Sequence, residues 1–215
     1  MVLLYRSDAP VASWTWEVGA PGGGPGGLDL GARVAVTAAD VLEKTELLHL
    51  RAVEVSWAAP DGTEAPFRTR VSSSQPFTAE NLAQRIRDAR PAGDPDLPPA
   101  ALALIGAGRW FAPGGDSRTD PALLTGTVRL GPSAAYLELA AHHDIWAEHD
   151  FFGTPHPEIH ELNAPRLSAG LRAVEQALGS PGTPGGPTFF GTPFNHGVRS
   201  HVAEDGTGVD VSGHL

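Results

Sequence analysis

From Leu48 to Trp57 the chain alternates so regularly that His49, Arg51, Val53, Val55 and Trp57 share one face of an extended segment. A period of two fits a half-buried strand and no helix, so the rest of the chain must complete a sheet with a covered face. Pro60-Asp61-Gly62-Thr63 reads as a turn, and Phe67 to Val71 can return as the antiparallel partner. Leu123–Leu130 and Ala135–His143, joined at Gly131-Pro132, form a second hairpin of the same kind. Within Leu3–Val18, Trp14 and Trp16 alternate with Thr15 and Glu17 and predict one more strand.

Two main helices stand against these strands. Thr78 caps one that runs to about Ala89, with Leu82 and Ile86 a turn apart on its buried face. The other takes Asn163 as its cap, Pro165 in its first turn and Gly179 as its stop. Leu167, Leu171, Val174 and Leu178 are its apolar stripe. Ala100–Gly106 reads as a short helix, and Pro21–Gly27 as a flexible loop. Residues Gly22 to Gly27 satisfy G-x-G-x-x-G, but a dinucleotide fingerprint must open a helix, and Arg33–Thr37 is strand-like. The predicted architecture is α+β: an antiparallel sheet built from hairpins, two main helices and an irregular Gly/Pro-rich C-terminal strap. Residues 1–90 make a strand-hairpin-helix half, 91–99 a loop or linker, and 100–179 a second hairpin-plus-helix half. Residues 180–215 are a tail that packs by Phe189, Phe190 and Phe194 and frays at its end. Together they are expected to form one domain.

Composition narrows the chemistry. The 215 residues include no cysteine, which excludes disulfides, thiolate metal sites and a cysteine nucleophile. Lys44 is the only lysine, and with 26 glycines and 20 prolines this usage points to a GC-rich bacterial genome. The net charge of −10 repels nucleic-acid backbones and anionic membranes and favours a basic protein partner or cations. The N-terminus lacks a signal-peptide pattern, and no window approaches the roughly 20 apolar residues of a membrane helix. A cytoplasmic protein without a membrane segment is the expectation.

One stretch, His142 to Glu161, concentrates the groups that carry chemistry. It holds five of the nine histidines, and no Lys or Arg occurs between Arg129 and Arg166. Glu138, Asp144, Glu148, Asp150, Glu158 and Glu161 therefore have only histidines as nearby positive charges. The preferred reading is a recognition surface without a cofactor. Trp146 and Phe151 would bury area at low entropic cost, while Glu148 and Asp150 steer a basic partner. The alternative is a divalent-metal site, zinc for example, using His142, Asp144, His156 and His160. A metal-dependent hydrolase would then take Glu158 or Glu148 as base. The spacing departs from known zinc motifs. His156-Pro157-Glu158-Ile159-His160 is not H-E-x-x-H, and the H-x-E of zinc deaminases lacks its P-C-x-x-C partner. No G-x-S-x-G elbow is present. The same residues also have a purely structural role available: Trp146, Phe151 and Phe152 can close the end of the sheet.

The order Asp144-Ile145-Trp146, loop, Asn163-Ala164-Pro165-Arg166-Leu167 resembles a loose group of poorly characterised actinobacterial proteins with a D-I-W element before a helix opening near P-R-L. The resemblance covers residues 141–178. It implies an immunity-type inhibitor of a basic effector or toxin, and it carries over no catalytic residues. Read from the residues themselves, Asp144 can close a turn, Trp146 can cover the core, and Arg166 can pair with Asp144 or Glu161.

Overall fold

The alternation at Leu48–Trp57 becomes an interior strand of a long antiparallel sheet. Along the chain, β1 (Ala12–Gly19) leads to α1 (Leu28–Lys44), and the hairpin β2 (His49–Ala58) and β3 (Glu64–Ser72) follows. Next come α2 (Ala79–Asp88), the 13-residue β4 (Pro99–Phe111), β5 (Ser117–Asp120) and the hairpin β6 (Leu124–Leu130) and β7 (Ala134–Ala141). A 3-10 turn at Asp144–Trp146 precedes α3 (Pro157–Leu178), and the short strands β8 (Thr183–Pro184), β9 (Thr192–Phe194) and β10 (Gly197–Arg199) complete the chain. The computed structural model describes residues 5–19, 22, 24, 26–59, 61, 63–93 and 96–215. The turn expected at Pro60–Thr63 and the loop expected at Pro21–Gly27 fall partly outside these residues.

The strand order is β3-β2-β4-β6-β7-β1-β8, and each neighbouring pair is antiparallel. With three α-helices among the described residues, the fold is α+β as expected. Val53, Val55 and Trp57 meet Leu102, Leu137 and Leu139 in one contiguous apolar cluster beneath the helices. The opposite sheet face runs through the row Glu54, Ala103, Thr127, Glu138 and Thr15, tied at its surface by Arg68–Glu54 and Arg129–Glu138 pairs at 3.1 and 3.0 Å. Both pairs are water-facing and add little stability.

His49 and Arg51 leave the buried face that alternation assigned to them. β2 pairs Leu50 with Gly106 and Ala52 with Ile105, so Arg51 is an extra residue, a β-bulge. The bulge resets the phase, and both polar side chains reach solvent while Val53, Val55 and Trp57 stay inside.

Three other expectations are corrected. Arg33–Thr37 belongs to helix α1, not to a strand. Its buried residues Leu30, Val34, Ala38 and Leu42 recur every four positions, and that stripe packs over the sheet between α2 and α3. The glycine-rich segment therefore does precede a helix, but three strands stand between β1 and β2, so they are not the adjacent parallel pair of a dinucleotide-binding βαβ unit. Ala100–Gly106 is strand, not helix: Leu102, Leu104, Gly106, Gly108 and Trp110 alternate inward along β4. Glycine is required there by close approach, since a Cβ on Gly108 would lie 2.2 Å from the Leu47 carbonyl and one on Gly106 would lie 2.3 Å from that of His49. Finally, α3 starts at Pro157, so Asn163 and Pro165 lie inside it. Pro157 occupies the first helical turn, where a missing N–H costs nothing, and Gly179 ends the helix at φ 63°.

The α2 boundaries follow the sequence closely. The Thr78 hydroxyl accepts the Asn81 N–H at 3.2 Å. Thr78→Ala is expected to cost about 1 kcal/mol in urea denaturation, the usual worth of such a cap. An unchanged midpoint would show that the cap contributes nothing.

The tail is fastened along its length. β8 pairs with β1, the Trp14 indole donates to the Asn195 carbonyl at 2.6 Å, and Phe190 packs on Phe151 with ring centres 5.0 Å apart. Its end is a 3-10 turn at Ser212–His214 whose imidazole stacks on Phe189, so a frayed terminus is not what the structure shows. Among the described residues, no helix is long and apolar enough to cross a membrane.

Candidate functional site

The segment after β7 runs inward before it reaches the surface. Ala141 to Ala147 are all buried, because the strand continues past its last sheet residue under Tyr5–Ser7: the Ser7 N–H donates to the His142 carbonyl at 2.9 Å, and the Asp144 N–H to that of Tyr5 at 3.3 Å. Trp146 is 0% and Phe151 2% exposed. Neither can anchor a partner, and this corrects the surface drawn from the sequence. Both close the sheet end, the structural role open to them.

Glu148 is exposed, and Asp150 folds the loop. Its carboxylate accepts the N–H groups of Phe152 and Thr154 at 2.9 and 2.8 Å. That loop turns Phe151 inward against Phe190 and Phe152 outward, 45% exposed and edge-on to Tyr5. The aromatic at the surface is thus the second of the pair.

The four candidate metal ligands are not brought together. His142 is hydrogen-bonded to the Thr125 hydroxyl at 3.1 Å and to the Ser7 carbonyl at 3.3 Å. The His156 imidazole bonds the Ala147 carbonyl at 2.8 Å, while His160 is half-buried on the face of α3 that meets β10. Among the described residues, no three His, Asp or Glu side chains converge as a metal site would require.

Asp144 and its neighbours form a costly polar interior. Burial pushes the Asp144 carboxyl up to about 7, and the nearby Asp150 charge adds to this, against backbone N–H groups that pull it down. Burial likewise holds His143 and His156 below the ordinary histidine range. Asp120 stands 3.5 Å from the His143 ring, too far for a good hydrogen bond, and only partly offsets the desolvation. Five buried side-chain atoms without a hydrogen-bond partner fall between His143 and His149: both His143 nitrogens, Asp144 Oδ1, Trp146 Nε1 and His149 Nδ1.

The charges outside this interior are segregated. The tail packs on the loop, with the His149 N–H donating to the Ser200 hydroxyl at 3.0 Å and the Val211 N–H to the Phe151 carbonyl at 2.8 Å. It brings Glu204, Asp205 and Asp210 to the side that carries Glu148, Asp150, Glu158 and Glu161, and residues 200–215 contain no Lys or Arg. Arginines near this end are turned to other tasks. Arg166 pairs with neither Asp144 nor Glu161. It donates to the Thr45 carbonyl at 2.8 Å and lies 4.6 Å from the Phe111 ring centre. Arg199 sits 3.2 Å from the ring centre of Phe194. Arg6 marks the border, opposite His143. The result is an acidic end whose exposed apolar groups include Phe152, Leu162 and Phe189.

Two features escaped the sequence reading. One is a groove of about 280 Å³ between α1, the start of β2 and the β3–α2 loop, where Glu43 holds the His49 ring at 2.6 Å beside Arg51. Polar residues in the phase of core residues were its signal. The other is a groove of about 380 Å³ between α3 and β10, floored by Trp146. Its signal was a proline within a helical pattern. No family model, curated protein or solved structure matches the chain.

Proposed function

We propose that the protein is a non-catalytic binding module that receives a basic protein partner on its acidic end. The observation that carries this reading is the segregation of charge. Seven carboxylates of the loop, the first turns of α3 and the tail share one end, while Arg166 and Arg199 are occupied by a carbonyl and by aromatic rings. Such a field accelerates encounter with a basic surface, and Phe152 and Leu162 supply apolar area to hold it. The resemblance of residues 141–178 to proteins of toxin–immunity neighbourhoods gives this its most concrete form: an immunity-type inhibitor that covers the active site of a basic effector.

The test is a charge reversal that leaves the fold alone. Glu148, Glu158 and Glu161 are exposed and form no ion pair among the described residues, so the triple variant E148K/E158K/E161K is expected to keep its circular dichroism spectrum. Wild-type protein coupled to resin should retain a basic protein from a lysate of its own cells. The triple variant should lose that same protein, and association should slow at least tenfold at low salt. Equal retention by the two, or retention of acidic proteins alone, would sink the reading.

A further inference from the structure

We infer that the groove between α3 and β10 is a receptor for one arginine side chain of the partner, an assignment that rests on the acidic end being the docking surface. The argument begins with a helix defect. Pro165 has no N–H, so the Glu161 carbonyl lacks the i+4 donor that an α-helix supplies to its interior carbonyls. A proline at the ninth position of a 22-residue helix is a local cost that packing alone does not require.

That carbonyl lies on the helix face that lines the groove. His160, Glu161, Ala164, Pro165 and Ser168 recur at spacings of three and four, and the hairpin strand β10 forms the far wall through Val198. The side chains of His160, Glu161 and Ser168 form no hydrogen bond or ion pair with any described residue. No Lys or Arg lines the groove, although α3 places Glu158 one turn before Glu161. The groove therefore offers several acceptors, one of them charged, beside the apolar surfaces of Ala164, Pro165 and Val198.

A guanidinium matches this pattern better than an ammonium. Its planar fork can give separate N–H groups to the Glu161 carboxylate, the freed carbonyl and the Ser168 hydroxyl, while three methylenes cover the apolar wall. Lysine presents one compact charge that cannot span spread acceptors. A volume of about 380 Å³ leaves room for one such side chain with water at its rim.

The probe is the blocked peptide acetyl-Gly-Arg-Gly-amide, titrated into isotope-labelled full-length protein and followed by backbone amide shifts. Saturable shifts are expected at Ala164, Ser168, Gly197 and Val198. They should be weaker with lysine in place of arginine and absent with citrulline, which keeps the shape and loses the charge. E161Q and P165A should each weaken binding about three- to tenfold, the net worth of a typical hydrogen bond. P165A removes the free acceptor by restoring its donor and should also raise Tm, so its loss of binding cannot be unfolding. Unchanged affinity in P165A overturns the assignment. Shifts confined to Glu148, Asp150, Glu204 and Asp205 overturn the groove and leave the acidic end standing. Absence of any saturable shift from either surface counts against both.

Discussion

Asn163→Ala is expected to destabilise the fold by roughly 3–4 kcal/mol, a large part of what holds a domain together. Asn163 is fully buried in α3, yet its amide serves a strand. Oδ1 accepts the Phe111 N–H at 2.9 Å, and Nδ2 donates to the Phe111 carbonyl and to the Ile159 carbonyl, both at 2.8 Å. One side chain thus completes the backbone pairing at the end of β4 and fastens the helix there. Alanine would strip these three bonds and a longer one donated by Arg166 at 3.4 Å, and leave both polar groups of Phe111 without their partner. Urea denaturation should show the midpoint falling with little change in slope. Asn163→Leu fills the volume but not the bonds, and it should rescue less than half of the loss. A leucine variant as stable as wild type would mean that packing, not hydrogen bonding, explains the residue.

The second large effect is one of pH. A carboxyl raised from 3.8 to about 7 on folding holds its proton more tightly in the folded chain. Its contribution is complete below pH 3.8 and is lost as pH rises through about 7. His143 works in the opposite sense, since its lowered pKa gives a contribution present above 6.5 and lost on acidification. Below pH 6.5 the two oppose one another. His142 and His156, also lowered by burial, act as His143 does, so the histidines add stability with rising pH while Asp144 subtracts it, and the Asp144 contribution is read as the difference between wild type and Asp144→Asn. Asp144→Asn cannot ionise, so its advantage over wild type should grow as pH rises from 3.8 to about 7 and reach on the order of 2–4 kcal/mol by pH 8. Denaturant midpoints of both proteins near pH 4 and at pH 8 decide it. Parallel curves for the two proteins would place the ionisation of Asp144 elsewhere.

What the sequence disclosed depended on whether a pattern was local. Hairpin β6–β7 and the capped α2 carry their signals within a few residues, and both were legible. Helix α1 was hidden by Val34, Val36 and Thr37, whose β-branched side chains look like strand. Its repeat appears only when Ala38 counts as apolar with Leu30, Val34 and Leu42. Strand β4 has the opposite disguise: Ala and Leu favour helix by propensity, and the need for Gly106 and Gly108 comes from the backbones of His49 and Leu47, far off in sequence. At the α3 boundary two prolines competed, and the earlier one opens the helix. At the candidate site the cluster of carboxylates was readable, but the anchors were not. Which of Phe151 and Phe152 faces water is settled by Phe190 and the Val211 N–H, supplied by the tail. Aromaticity alone does not say which way a ring points.

The place of β1 in the sheet has a consequence for synthesis. Its ladder partners are β7 and β8, and the first of these leaves the ribosome about 120 residues later. At ordinary elongation rates that is an interval of roughly 6–24 s. During it, Trp14 and Trp16 stand on a nascent strand without its ladder, while α1, β2, β3 and α2 are already present to gather around it. Translation order and strand order disagree here. The chain cannot fold vectorially from its first strand, and the hairpin β2–β3 is where cotranslational structure should begin.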